Sequence, residues 1–125
     1  RELTPGEDAE IAGVTVTPHQ VKHGQPDGPF FALRIEAEGR IVTYTGDTEW
    51  TDALIPAAKG ADLFVAEAYF RDKSVPLHLD LATLEQHLPE IGAKKVVLTH
   101  MSDDMLRQVD DLAYETAEDG MIVAF

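Results

Sequence analysis

The chain contains no cysteine. Disulfides, thiolate metal sites and cysteine nucleophiles are therefore excluded, and any metal must be held by His, Asp or Glu. Basic residues are also scarce. Ten Lys and Arg stand against 23 Asp and Glu, a formal net charge of −13. Such a charge repels phosphate backbones and anionic lipid surfaces, so neither nucleic acid nor a membrane is expected as a partner. No apolar run reaches the roughly 18 residues of a membrane-spanning helix. No signal-peptide pattern is visible, and a cytoplasmic location is the expectation. The chain begins at Arg1 rather than methionine, which reads as a truncation or cleavage point.

What is present is ordinary for a globular domain. The 125 residues are 44% hydrophobic, enough for one domain with a real core. Residues 1–10 read as a loop. "IAGVTVTP" alternates apolar and Thr positions and predicts a half-buried strand ended by Pro18. "FFALRIEAEGRIVTYT" predicts a hairpin, with strands 30–36 and 40–45 and a turn at Glu38-Gly39. "EWTDALIPAAKG" predicts a short helix closing at Gly60, with Thr48 as N-cap and Pro56 as a kink. "DLFVAEAYF" is apolar at nearly every position, as a buried parallel strand is. In "DLATLEQHLPEIGA", Asp80 caps a helix, Leu81, Leu84, Leu88 and Ile91 share one face, and Gly92 ends it. "KKVVLTH" is another buried strand. "SDDMLRQVDDLAYETAED" predicts a helix from Ser102, and "GMIVAF" a last strand. The order β-ββ-α-β-α-β-α-β points to an α/β domain with a mixed sheet and flanking helices.

Three polar groups follow strands: Asp47 after 40–45, Glu67 near the end of 62–66, and His100 after 95–99. Ligands gather at the carboxyl ends of strands in layered α/β folds. His23 and His78 lie in loops. Imidazole and carboxylate together suit zinc or manganese, and an aspartate has two oxygens with which to bridge two ions. Each residue also has a plainer reading. Asp47 fits a turn or a helix cap, His100 a hydrogen bond to the following turn, and His23 and His78 the surface. Glu67 in an apolar strand is more telling, because a buried carboxylate needs a partner. Trp50, Tyr69 and Phe70 read as core or rim. Thr45 and Thr48 read as hydroxyls that hold the turn around Asp47.

Taken together, these stretches resemble the second half of the metallo-β-lactamase superfamily, in its ribonuclease Z-like branch. "VTVTPHQVKHG" resembles the strand and loop bringing a metal-binding histidine, here His23. "IVTYTGDT" is similar to the stretch whose aspartate bridges two metals, here Asp47. "DLFVAEAYF" is similar to the His-Glu-Ala-Thr stretch, with Glu67 as its glutamate. "KKVVLTHMS" resembles the Leu-Thr-His stretch of the last metal ligand, here His100. His78 falls where that branch keeps a catalytic histidine.

The resemblance implies half of an αββα sandwich over residues 1–125. It implies a hydrolase that activates water with two divalent ions, zinc first, with manganese or iron as alternatives. The implied metal ligands are His23, Asp47 and His100, and the implied catalytic residues are His78 and Glu67, the latter orienting His78. The family's His-X-His-X-Asp-His cluster is missing from the chain. The expected partner is therefore an N-terminal half of the same fold, or a second copy. It would cover a sheet face formed by Phe31, Leu33, Ile35, Val42 and Tyr44. His78 is followed by Leu79-Asp80 rather than Ser-Thr, and "EAEGR" leaves no room for a tRNA-gripping arm. Both departures point away from tRNA and towards a small-molecule ester or phosphodiester. The alternative is a non-catalytic fold fragment or assembly module that pairs with another chain.

Overall fold

The computed structural model describes residues 2–125. Among the described residues, seven strands form one sheet in chain order: β1 (Ala9–Ile11), β2 (Val14–Gln20), β3 (Phe31–Ala37), β4 (Arg40–Tyr44), β5 (Leu63–Glu67), β6 (Val96–Thr99) and β7 (Glu115–Thr116). The first four are an antiparallel meander, and β4 to β7 run parallel. The helices are α1 (Leu54–Ala58), α2 (Leu81–Ile91) and α3 (Asp103–Leu106), lying in the three parallel crossovers. The expected mixed α/β sheet is what forms.

One face of the sheet carries the core. Ala32, Phe64, Ala66 and Leu98 of the strands pack with Leu54 and Ala57 of α1, Leu81, Leu84 and Ile91 of α2, and Met105 of α3. Side chains alternate across a strand, so Phe31, Leu33, Ile35, Val42 and Tyr44 fall on the opposite face. The register sets Leu33 beside Tyr44 and Tyr44 beside Val65. Phe31, Leu33, Ile35 and Val42 are only half-buried, and Tyr44 is 40% exposed.

α2 forms where its apolar spacing requires. Asp80 Oδ2 accepts the Thr83 N–H at its start, and Gly92 returns its N–H to the Leu88 carbonyl at its end. Other expectations need correction. "IAGVTVTP" is two strands, because Ala12 and Gly13 both have positive φ and make a two-residue hairpin turn. Pro18 does not end β2. It pairs with Leu33 on one side and, lying beyond β1, has no ladder to break on the other. α1 is shorter than residues 49–60, and Pro56 does not kink it. It is the third residue of the helix, where an N–H would have no intrahelical acceptor.

Ser102 does cap α3 through the Met105 N–H, but that helix stops at Leu106. A 3-10 turn follows at 109–111, and then the chain joins the sheet as β7. The free edge of β6 wins over helical continuation, and only Met105 of this segment is fully buried. "GMIVAF" is not a strand. Ile122 is 93% exposed, and a strand run needs a neighbouring strand to complete its hydrogen bonds.

Asp62, at the entry to β5, ties three elements together. Its oxygens accept from the Ile41 N–H at 2.8 Å and from Lys94 Nζ at 2.9 Å. The Lys94 hydrogen bond, then that of Ile41, holds the carboxyl below its usual pKa. A depressed carboxyl contributes stability above the unfolded value of about 3.9, and that contribution is lost as pH falls through the lower folded value. Asp62→Asn should therefore lower the urea midpoint at pH 7, with the gap to wild type closing in acid below about pH 3.9. A gap constant across that range would show that Asp62 acts only by shape.

Candidate metal centre and active site

The turn after β4 is built to project Asp47. The Thr45 N–H still pairs with the Val65 carbonyl. Gly46 then adopts φ +63°, and a Cβ there would lie 2.9 Å from the Phe31 carbonyl oxygen. Both the left-handed backbone and the close approach select glycine. Thr45 Oγ1 accepts the Glu67 N–H at 3.0 Å, while its hydroxyl donates to the Gly46 carbonyl. Thr48 is not a helix cap, since α1 starts at Leu54 without one. Its Oγ1 instead accepts the Lys22 N–H at 3.0 Å and donates to the Glu49 carbonyl. The Glu49 N–H returns to the Lys22 carbonyl at 2.8 Å. The His23 loop is thereby stitched to the Asp47 turn.

Glu67 lies at the end of β5 and is completely buried. Its Oε1 accepts the Thr48 N–H at 2.9 Å, and its Oε2 lies 2.6 Å from His78 Nδ1. Burial raises its pKa above the carboxylate norm, against the two hydrogen bonds. His78 presents Nδ1 to the carboxylate, which leaves Nε2 for the site. Its ring packs in a three-ring cluster with Tyr69, centroids 4.5 Å apart, and His100, at 5.3 Å, while Tyr69 and His100 are 5.7 Å apart. The preceding Leu77 has φ +69°, and its carbonyl accepts from His23 Nδ1 at 2.8 Å. A carbonyl only accepts, so His23 carries its proton on Nδ1 and turns a lone pair on Nε2 elsewhere.

That lone pair faces Asp47. His23 Nε2 is 3.9 Å and His100 Nε2 3.5 Å from the same atom, Asp47 Oδ2. His100 follows β6 at φ +50°, an uncommon conformation outside glycine that concentrates at functional sites. All five residues singled out in the sequence therefore meet at the carboxyl ends of β4, β5 and β6.

The donor set fits a divalent cation. Two donors on one tetrahedral zinc, each about 2.0–2.1 Å from it, stand roughly 3.3 Å apart. The His100–Asp47 separation matches this, and the His23–Asp47 separation is slightly wider. Ligand atoms of Glu67, His78 and His100 also lie within 4.8 Å of one another. Glu67 is nevertheless a poor ligand, because both oxygens already have protein donors and solvent does not reach it. Asp47 and His100 have side chains 36% and 40% exposed, so they are free to bind. Tyr69 against His78 and the Leu77 carbonyl behind His23 were not foreseen. A backbone carbonyl has no sequence signature, and Tyr69 reads as rim until its partner ring is located.

A family model described as a β-lactamase superfamily domain matches residues 1–101. The chain belongs to the metallo-β-lactamase superfamily. Within it the chain falls in the ribonuclease Z-like branch. It is similar to ribonuclease Z of Methanosarcina acetivorans, 29% identical over 116 residues, covering 89% of this chain and 33% of that protein. Its fold matches the metallo-β-lactamase fold protein YhfI from Bacillus subtilis, with TM-score 0.76 and 23% identity over 95% of this chain and 53% of that one. It also matches a diphosphatase of the PhnP family, with TM-score 0.77 and 24% identity over 98% and 47%. The chain thus spans about a third of the curated relatives it matches. Among the described residues of this superfamily member, no helix is long and apolar enough to cross a membrane.

Gly46→Ala tests the turn. The left-handed backbone costs an L-residue about 1–2 kcal/mol, and the Phe31 carbonyl adds a contact that cannot swing away. A destabilisation above about 1 kcal/mol is expected in a denaturant titration, and an unchanged midpoint would refute this account of the turn.

Proposed function

We propose that this chain carries one side of a dinuclear metal-dependent hydrolase site acting on a small-molecule ester or phosphodiester. The observation that supports this best is the convergence of His23 and His100 on one oxygen of Asp47, with His78 braced beside them by Glu67. Asp47, His23 and His100 would be the residues of this chain that hold the ions. Two divalent ions bound there, zinc first and manganese or iron as alternatives, would supply a water acidified towards neutral pH and positive charge for the scissile oxygen.

The chain's own residues account for the remaining steps. Glu67 accepts from His78 Nδ1 and holds the imidazole in one tautomer and orientation. Nε2 then holds the lone pair, and it takes a proton from the attacking water. As the water oxygen bonds to the phosphorus or carbonyl carbon, the leaving oxygen departs with its electron pair and takes that proton. His78 Nε2 then carries a lone pair again, as at the start of the turnover.

A zinc takes about four donors, so one carboxylate and two imidazoles do not complete two ions. The remaining ligands belong to an N-terminal half of the same fold, a reading in keeping with the longer relatives, or to a second copy. The net charge of −13 and the two-residue turn at Glu38-Gly39 favour a small molecule over tRNA. The alternative, an assembly module without chemistry, draws on the half-exposed apolar face containing Tyr44.

The test is made on the full-length protein. Asp47→Ala should lose bound metal by elemental analysis together with metal-dependent hydrolysis of bis(4-nitrophenyl) phosphate or aryl esters. His78→Ala should keep its metal while kcat falls about 10²- to 10⁴-fold. Glu67→Gln should keep its metal and move the pH profile, because the brace on His78 changes. Wild-type protein with neither bound divalent metal nor metal-dependent hydrolysis would retire the hydrolase reading. An unaltered profile and turnover in Glu67→Gln would retire the Glu67–His78 pairing.

A further inference from the structure

A cavity of about 170 Å³ opens beside His78, on the side of the Asp47 turn, with Glu49 and Trp50 among its walls. It is comparable to the roughly 150 Å³ cavity that admits a benzene ring. Most of its polar wall is already committed. Asp80 accepts from Ser74 Oγ, from Thr83 Oγ1 and from the Thr83 N–H, so these three residues satisfy one another. Trp50 supplies an aromatic wall and is held flat. Its ring stacks on His87 with centroids 3.6 Å apart and planes within 4°, and its Nε1–H donates to Asp52. Val75 is apolar. The nearby Lys73 ammonium sits over the Phe70 ring instead.

That leaves Glu49. Its backbone is used at both ends, the N–H to the Lys22 carbonyl and the carbonyl to the Thr48 hydroxyl. Glu49 lines the cavity, its carboxylate has no hydrogen bond or ion pair among the described residues, and no described Lys or Arg lines the space.

We propose that this cavity is the leaving-group subsite, and that Glu49 and Trp50 make it select a ring-sized neutral or cationic leaving group over an anionic one. The inference rests on the hydrolase reading above, because it uses His78 as the residue that protonates the departing oxygen. His78 lines the cavity and also meets the Asp47 cluster, so a group released under its Nε2 leaves into this space. Trp50 offers the ring a flat surface, and Glu49 attracts a positive substituent and repels a negative one. A second phosphate or a carboxylate on the leaving side would meet Glu49 in a wall that, among the described residues, no Lys or Arg lines. The sign of this wall distinguishes the substrate class from diphosphates and phosphate-terminated esters.

The experiment uses the metal-loaded full-length protein and aryl methyl phosphodiesters and aryl acetates. Their phenols carry a para trimethylammonium, nitro or carboxylate group. Each kcat/KM is divided by the solution hydrolysis rate, which removes differences in leaving-group acidity. The corrected cation-to-anion ratio should be at least tenfold in wild type. It should fall at least tenfold in Glu49→Lys, with Glu49→Gln intermediate. Trp50→Ala should raise KM for all three and leave the ratio in place. Because the ratio is read within each variant, a general loss of activity cancels, and Glu49→Gln serves if the lysine variant does not fold. A wild-type ratio near one, or a ratio indifferent to both Glu49 changes, overturns the inference while leaving the hydrolase intact. Metal-loaded protein that hydrolyses none of the esters overturns the hydrolase reading and this subsite with it.

Discussion

The buried carboxylate of Glu67 is the interaction on which the site depends. An ionised carboxylate removed from water is costly unless each oxygen has a donor. Glu67 meets that requirement with two donors from different parts of the chain, the Thr48 N–H and His78 Nδ1. The same residue's N–H is held by Thr45 Oγ1. One side chain and one peptide group thus fix the Asp47 turn from both sides and pin the His78 loop to the sheet. The two threonines around Gly46-Asp47 are explained by this. Their hydroxyls satisfy backbone groups at the point where the sheet ladder runs out.

Exposure then divides the work. Glu67 is sealed and acts on its neighbours, whereas Asp47 and His100 reach solvent beyond it. β5 and β6 end together at Glu67 and Thr99, and β4 ends level with Val65 before its turn carries the chain on to Asp47, so residues 47, 67 and 100 come together without any local sequence relation. The two loop histidines are brought in by backbone. Lys22 pairs with the Asp47 turn, and the Leu77 carbonyl orients His23. The left-handed conformations at Gly46, Leu77 and His100 lie at the functional end of the sheet, where strain is offset by the bonds around it.

The sheet is asymmetric. Its helix-covered face holds the fully buried core, rich in alanine at close contacts such as Ala32, Ala57 and Ala66. Its other face is apolar and half-exposed, with Leu33, Tyr44 and Val65 in register. A face of this kind is normally covered, and the chain accounts for only about half the length of the solved structures sharing its fold. The C-terminal run "GMIVAF" is in the same position as this face: it has the composition of a strand and no strand beside it.

Much of this was legible in the residues. The hairpin turn at Glu38-Gly39 placed β3 and β4, the leucine spacing with Asp80 and Gly92 delimited α2, and continuous apolar runs marked β5 and β6, because those patterns record turn chemistry and which face is buried. Glu67 declared itself as a carboxylate in an apolar strand. What depended on neighbours was not legible. Thr48 looked like a helix cap because its use as acceptor for Lys22 is set 26 residues away. Residues 102–119 looked helical because sequence does not reveal that the edge of β6 is free to pair with β7. The partners of Asp47, the tautomer of His23 and the stack of Trp50 on His87 likewise belong to the tertiary structure alone. Local sequence encodes burial and turn chemistry, whereas the convergence of side chains on one point depends on sheet register and loop stitching, which exist only once distant segments have met.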